Sequence, residues 1–399
     1  NQEILTMQTR SFPIADRWCV HSYYTLCPWA PDGSGRLLVA GADLETRTAE
    51  VFVLDANGNV LHQFGQNPVF ESFWHTGFWQ SWSPDGRFVY FQQGSFKEPR
   101  TVRRDLESGE EVSVDGDLEG IPPSGEPGFS SSHAMLYAAG YSSGVYNPDA
   151  SPIPFQARDQ HGISRISFDS RSSDLMLSTR QIIERLDSDE LNAADAAMRK
   201  RLGPNEGLTL MTYCVRWNSQ GTRCLFYMGN HCVDKRREEP RIAYVFAADR
   251  DLQNMHLVVD LSFGKRGVHW GWHPDGEHLM GYGPDPEGNG TCIATVKYDG
   301  SGYRKLVSHN SGGHPNVCPT DHNLLVTDCG GVPGSVVLMD VSEDRIMETF
   351  SPGKVNGEKE PPGRNPFRVC HHPVFHPDGR KFLINTLNGR HAAVQEITL

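Results

Sequence analysis

A tight turn followed by a hydrophobic strand recurs along the chain, and no other feature constrains the fold as much. Pro31-Asp32-Gly33 precedes RLLVAG, Pro84-Asp85-Gly86 precedes RFVYF, Pro274-Asp275-Gly276 precedes EHLMGYG, and Pro377-Asp378-Gly379 precedes KFLINT. Degenerate copies run from Ser130 to His133 before AMLYAAG, from Asn218 to Gly221 before TRCLFYM, and from Pro319 to His322 before NLLVTDC. Proline sets φ at the first corner, aspartate bonds its own backbone and glycine supplies positive φ, so the turn suits a junction between antiparallel strands. Successive copies lie about 45–60 residues apart, the spacing of four-stranded blades, except between Ser130 and Asn218. Second hairpins such as LDANGNVLHQF and VKYDGSGYRKLV supply the outer strands. The reading is all-β: one seven-bladed β-propeller over residues 1–399, its chain end closing the ring beside the N-terminal strand.

The long interval contains residues 178–202, rich in Ala, Leu, Arg and Glu and free of Gly and Pro, which predicts a helical insertion. A formal net charge of -12 and the lack of any Lys or Arg run argue against a nucleic-acid partner. An acidic saccharide meets the same average repulsion, so it would need a local cluster of Arg and His. Nine cysteines spread over 399 residues do not form a dense disulfide framework. No apolar run is long enough to span a membrane. The chain is expected to be secreted or periplasmic, with its signal peptide already removed.

Histidines recur just ahead of the inner hairpins, in Val268-His269-Trp270, Gly313-His314-Pro315 and Cys370-His371-His372-Pro373. Inner strands converge on the axis of a propeller, so these residues become neighbours. His314, Cys370 and His372 suit a divalent metal, zinc above all, because a Cys-x-His pair on a strand puts both side chains on one face. The competing reading is a free buried cysteine beside structural histidines. By the same alternation His371 points away, and His376 sits in a turn. A second group comprises His75, Tyr141 and Arg158: a base near neutrality, a hydroxyl acid and a bidentate carboxylate clamp. His21, in Val20-His21-Ser22-Tyr23-Tyr24-Thr25, is a third candidate. His133, His161 and Arg216 are candidates for substrate binding.

These segments resemble a group of carbohydrate-active propellers: oligogalacturonate lyases, ulvan lyases, and the related rhamnose-glucuronate lyases and rhamnosidases. Gly267-Val268-His269-Trp270-Gly271-Trp272 resembles the oligogalacturonate lyase strand that carries the proposed base. Cys370-His371-His372-Pro373 through Gly379 resembles their metal-binding His-Pro-His segment, with Cys370 in place of one histidine and Phe367 near the place of a glutamine ligand. The spacing of His75, Tyr141 and Arg158 is similar to the canyon residues of ulvan lyases. The resemblance implies β-elimination on a uronic-acid glycan, with Arg158 on the carboxylate, His75 as base, Tyr141 as acid and His269 as reserve base. The metal would be structural or would polarise the carboxylate, and the cysteine favours structure. The alternatives are a rhamnosidase acting on rhamnose-glucuronic acid linkages, centred on His21 on the opposite face of the disc, and a binding propeller without chemistry.

Overall fold

The computed structural model describes residues 7–69, 76–94, 99–131, 155–230, 237–328, 335–352, 369–388 and 391–399. Seven antiparallel sheets follow one another around a ring, six with four strands and one with three among the described residues. The blades span Trp18–Pro68, Ser81–Asp115, residues 117–178, Met211–Asp260, Val268–Val307, Asn316–Phe350 and, for the last, Val374–Thr398 with Gln8–Phe12 added. The last strand, His391–Thr398, pairs with Gln8–Phe12 in the register Gln8↔Thr398 to Phe12↔Val394. Chain closure therefore removes an open edge, as the turn repeat predicted.

Packing between blades explains the sequence pattern of the middle strands. Ala243–Asp249 is almost wholly buried because a neighbouring blade covers each of its faces. Alternate side chains serve opposite cores: Val245 and Ala247 join Trp270 and Ala294 of blade five, whereas Tyr244 and Phe246 join Phe129 and Ile163 of blade three. Outer strands such as Val60–Pro68 are mostly exposed, and their composition is correspondingly polar.

Neighbouring turns are also tied to one another on one face of the disc. Arg36 Nη2 donates to the Gly86 carbonyl, Ser124 Oγ to that of Gly221, Asn218 Nδ2 to that of Gly276, and Cys318 Sγ to that of Gly379. This latch corrects one expectation. The third turn is Pro122-Pro123-Ser124-Gly125, where Gly125 N donates to Pro122 O at 2.8 Å, the same bond that Gly86 makes to Ser83 and Gly276 to His273. The copy placed at Ser130 to His133 lies after it: Gly128–Ser130 is already a strand, and residues 132–154 are outside the described residues. The innermost segment of blade three, around Leu118 to Ile121, is irregular, which is why its turn was misplaced by sequence.

The expected helical insertion is a pair, α1 (Thr179–Leu186) and α2 (Asp189–Leu202). Ser178 and Gln181 form a reciprocal capping box at the start of α1, and Ser188 caps α2. Asp189 and Glu190 open α2 while Arg199, Lys200 and Arg201 close it, in accord with the helix dipole. Ile182, Leu191 and Met198 join the core between blades three and four. Arg158, in the short 3-10 turn Phe155–Asp159, grips Asp195 of α2 with two bonds of 3.0 and 2.9 Å and the Leu208 carbonyl at 2.7 Å. Asp195 also accepts from Leu208 N at 2.8 Å. The expected carboxylate clamp is thus engaged with a carboxylate of its own chain, which corrects its assignment to substrate. No described helix is long and apolar enough to cross a membrane.

Removing one partner of a buried ion pair strands the other, at a cost of about 3–5 kcal/mol. Arg158→Ala should therefore lower the unfolding free energy by about that amount in urea titrations. Equal stability of the variant and the parent would refute a structural role for this arginine.

Candidate functional site

In five of the blades the inner strand ends on an apolar residue just before its turn: Trp82, Trp217, Trp272, Val317 and Phe375 in blades two, four, five, six and seven. Three residues earlier stand Trp79, Cys214, His269, His314 and His372. Four of these adopt left-handed backbone, with φ of 53° at Trp79, 56° at Cys214, 59° at His269 and 44° at His372. Register shifts between Tyr213 and Arg216 and between Val268 and Gly271 mark bulges at two of them. A bulge re-aims its side chain, and left-handed non-glycine residues concentrate at functional positions. Successive blades thereby gather their side chains near the axis.

The histidines form one layer. The His269 and His314 ring centres are 4.0 Å apart, and those of His314 and His372 are 4.3 Å apart. His269 Nδ1 lies 2.6 Å from the Gly313 carbonyl, so it carries the proton and leaves Nε2 as the lone-pair nitrogen. His314 Nδ1 sits 3.0 Å from both oxygens of Asp328, with the same consequence. Asp328 further accepts from His314 N at 2.7 Å and from His372 N at 3.3 Å, so one carboxylate orients two strands. Gly313 is required here, because a Cβ at that position would run into the Asp328 carbonyl. Burial and the neighbouring His314 hold the His269 imidazole well below the ordinary histidine range. Burial works to raise the Asp328 carboxyl, but His314 and its backbone N–H more than offset this and leave it low.

His21 lies beside this layer, its ring 6.4 Å from that of His372. It is fully buried, and its backbone N donates to Asn385 Oδ1 at 2.8 Å. The same asparagine donates to the Cys370 carbonyl at 3.0 Å and accepts from His371 Nδ1 at 2.6 Å. Of the predicted metal set, His314 and His372 meet, but Cys370 does not join them. Among the described residues no three His, Cys, Asp or Glu side chains converge to hold a metal ion. The two imidazoles fit half of a divalent-cation site. His161 Nδ1 lies 3.0 Å from Thr179 Oγ1 at the start of α1, away from the axial layer. His75, His133 and Tyr141 are outside the described residues.

Beneath the histidines lies a plug that sequence reading did not anticipate. Val20 pairs with Ala40 while Pro28 O accepts from Leu38 N, so seven residues, 21–27, leave the inner strand of blade one opposite a two-residue step. This excursion carries Tyr23, whose ring lies 4.8 Å from His372 and 5.3 Å from His314, and Tyr24, which donates to the His269 carbonyl at 2.7 Å. Arg216 lies under both, 5.1 Å from the Tyr23 ring and 5.7 Å from that of Tyr24. Its Nε binds Glu119 at 2.6 Å, and Thr25 donates to the same Glu119 oxygen at 2.5 Å. Arg216, a candidate for substrate binding, is thus on the axis and paired with Glu119.

On the far side of the plug a cavity of about 480 Å³ opens among the turns. Its wall includes Trp29, Trp82, Trp217 and Trp272, and its floor includes Glu119, Arg216 and Asn316. Neither this aromatic wall nor the ion pair on the floor was part of the sequence reading.

No protein-family model matches the chain, and no curated protein matches it. Solved structures do. An oligogalacturonate lyase in complex with manganese is 17% identical with a TM-score of 0.63, covering 98% of this chain and 93% of its own. Oligogalacturonate lyase from Vibrio parahaemolyticus is 13% identical, also with a TM-score of 0.63, covering 99% and 94%. Hydrazine synthase of Kuenenia stuttgartiensis is 12% identical with a TM-score of 0.51, covering 92% and 93%. The resemblance drawn from the sequence therefore holds at the level of the fold.

The buried imidazole of His21 makes a measurable prediction. Burial lowers its pKa from 6.5 to about 4 against the pull of the His371 and His372 carbonyls. Between those values the unfolded chain binds a proton that the folded chain does not. This contribution is complete above the unfolded value and falls with pH across the window, by about 3 kcal/mol in all. Denaturant titrations from neutral pH downward should show that slope, and His21→Gln should flatten it. An unchanged slope in the variant would reject the assignment.

Proposed function

We propose that the chain is a polysaccharide lyase that cleaves a uronic-acid-containing glycan by β-elimination, with the histidine layer as its reaction centre. The observation that carries this reading is His269. It is neutral, its Nδ1–H is fixed on the Gly313 carbonyl, and its Nε2 remains to accept a proton. The reaction requires a base for the C5 proton, neutralisation of the adjacent carboxylate and a proton for the leaving O4. His269 fills the first role, in keeping with the sequence resemblance of its strand.

His314 and His372 are the residues that would hold a divalent cation, and such an ion would supply positive charge for the uronate carboxylate. Asp328 serves both by fixing the His314 ring and the His372 backbone. Zinc and manganese remain alternatives within this reading, and the manganese-bound neighbour supports a divalent ion of some kind. His75 as a further base and Tyr141 as the acid belong to the same proposal, whereas Arg158 does not. The hydrolase reading centred on His21 loses support, because that side chain has no exposed surface to offer a substrate.

Incubation with ulvan, pectic oligomers, glycosaminoglycans and gum arabic should yield an unsaturated uronide, detected by its ultraviolet absorbance, from at least one substrate. Release of reducing ends without that absorbance would identify a hydrolase instead. On the responding substrate, His269→Ala should lower turnover by about 10²–10⁴-fold, the range for losing a general base. Asp328→Asn should lower it by about 10–100-fold through the rings it orients. Because His269 must be neutral to act, the acid limb of kcat/KM should fall below the ordinary histidine value. A limb at or above that value would exclude His269 as the base.

A further inference from the structure

We propose that the aromatic funnel on the turn face is a second saccharide-binding site, separate from the histidine layer, that takes an uncharged pyranose ring. Its volume of about 480 Å³ falls within the range of ligand pockets. Two of its indoles are held in fixed orientations: Trp82 Nε1 donates to the Pro28 carbonyl at 2.9 Å, and Trp272 Nε1 donates to the Arg216 carbonyl at 3.0 Å. Each bond crosses to the preceding blade, so ring orientation is set by the propeller itself. Rigid indoles offer large apolar contact at little entropic cost on binding, which suits the apolar face of a sugar.

The floor supplies polar groups that are not fully used by the protein. Arg216 is 4% exposed, binds Glu119 through Nε and the Trp270 carbonyl through Nη1, and makes no hydrogen bond through Nη2 among the described residues. The Glu119 side chain is fully enclosed, and its Oε2 has no partner among the described residues. The Arg216 Nη2 donor at the bottom of an aromatic cup matches a hydroxyl of a sugar ring, and a buried polar atom without a partner gains free energy when a ligand supplies the missing bond. The charges of Arg216 and Glu119 cancel. A uronate would therefore find no net positive charge on the floor, while the whole chain carries -12. This balance selects a neutral sugar and distinguishes the funnel from a site for the acidic residue of a glycan. The inference does not depend on the chemistry assigned to His269.

Binding is tested with the intact protein by tryptophan fluorescence and saturation-transfer NMR. The probes are D-glucose, D-galactose, D-mannose, D-xylose and their β-linked dimers, set against D-glucuronate and D-galacturonate. At least one neutral sugar should bind saturably and at least tenfold more tightly than either uronate. Trp272→Ala should abolish that binding and Trp272→Phe should largely retain it, with thermal unfolding checking that both variants are folded. Glu119→Gln leaves Arg216 without a counter-charge, so it should reverse the preference in favour of uronates. His269→Ala should leave neutral-sugar binding unchanged. Failure of every neutral probe to bind, equal binding of uronates by the parent protein, or loss of binding in His269→Ala would each overturn the proposal.

Discussion

Everything on the axis depends on ring closure by Gln8–Phe12 against His391–Thr398. The histidine layer joins blade one to blades five, six and seven, and the floor of the funnel joins blades three and four. None of these residues is near its partners in sequence: Glu119 and Arg216 are 97 positions apart, and Tyr24 and His269 are 245 apart. Only a closed ring fixes the angle at which each inner strand meets the next. The interblade hydrogen bonds at the turns act in the same direction, because each ties a side chain to the glycine carbonyl of the following blade.

Within that ring, the left-handed residue three positions before the end of an inner strand decides what reaches the axis. Blade two places Trp79 there, blade four Cys214, and blades five and seven His269 and His372. The same backbone device thus presents an indole and a thiol in two blades and imidazoles in two others. Asp328 joins blades six and seven and binds His314 through both backbone and ring. That single carboxylate gives the layer a fixed tautomer and a fixed geometry.

Sequence reading captured what depends on local chemistry. Pro-Asp-Gly turns, the Gly- and Pro-free helical stretch at residues 178–202, and the spacing of His269, His314 and His372 all have short-range causes. It failed where identity depends on a distant partner. Blade three lost its turn because Pro122-Pro123-Ser124-Gly125 lacks the aspartate and its inner segment has no regular strand. Arg158 read as a free clamp because nothing in its neighbourhood announces Asp195, 37 residues away. The contact of His21 with His372, and the plug beside it, went unread because the seven-residue excursion leaves no mark in a turn-based repeat. The likeness to oligogalacturonate lyases was legible from short motifs and extends over nearly the whole chain as fold.

The excursion that carries Tyr23 and Tyr24 fills part of the hub of this ring. Blade one folds a piece of itself into the hub, and the Arg216–Glu119 ion pair packs beneath it. Among the described residues, Tyr23 and Tyr24 therefore stand between the histidine rings on one side and Arg216 and Glu119, at the base of the turn-face cavity, on the other. A change of side chain on either side of these two tyrosines meets the same pair of rings, so the hub acts as a shared partition whose thickness is one layer of aromatic side chains.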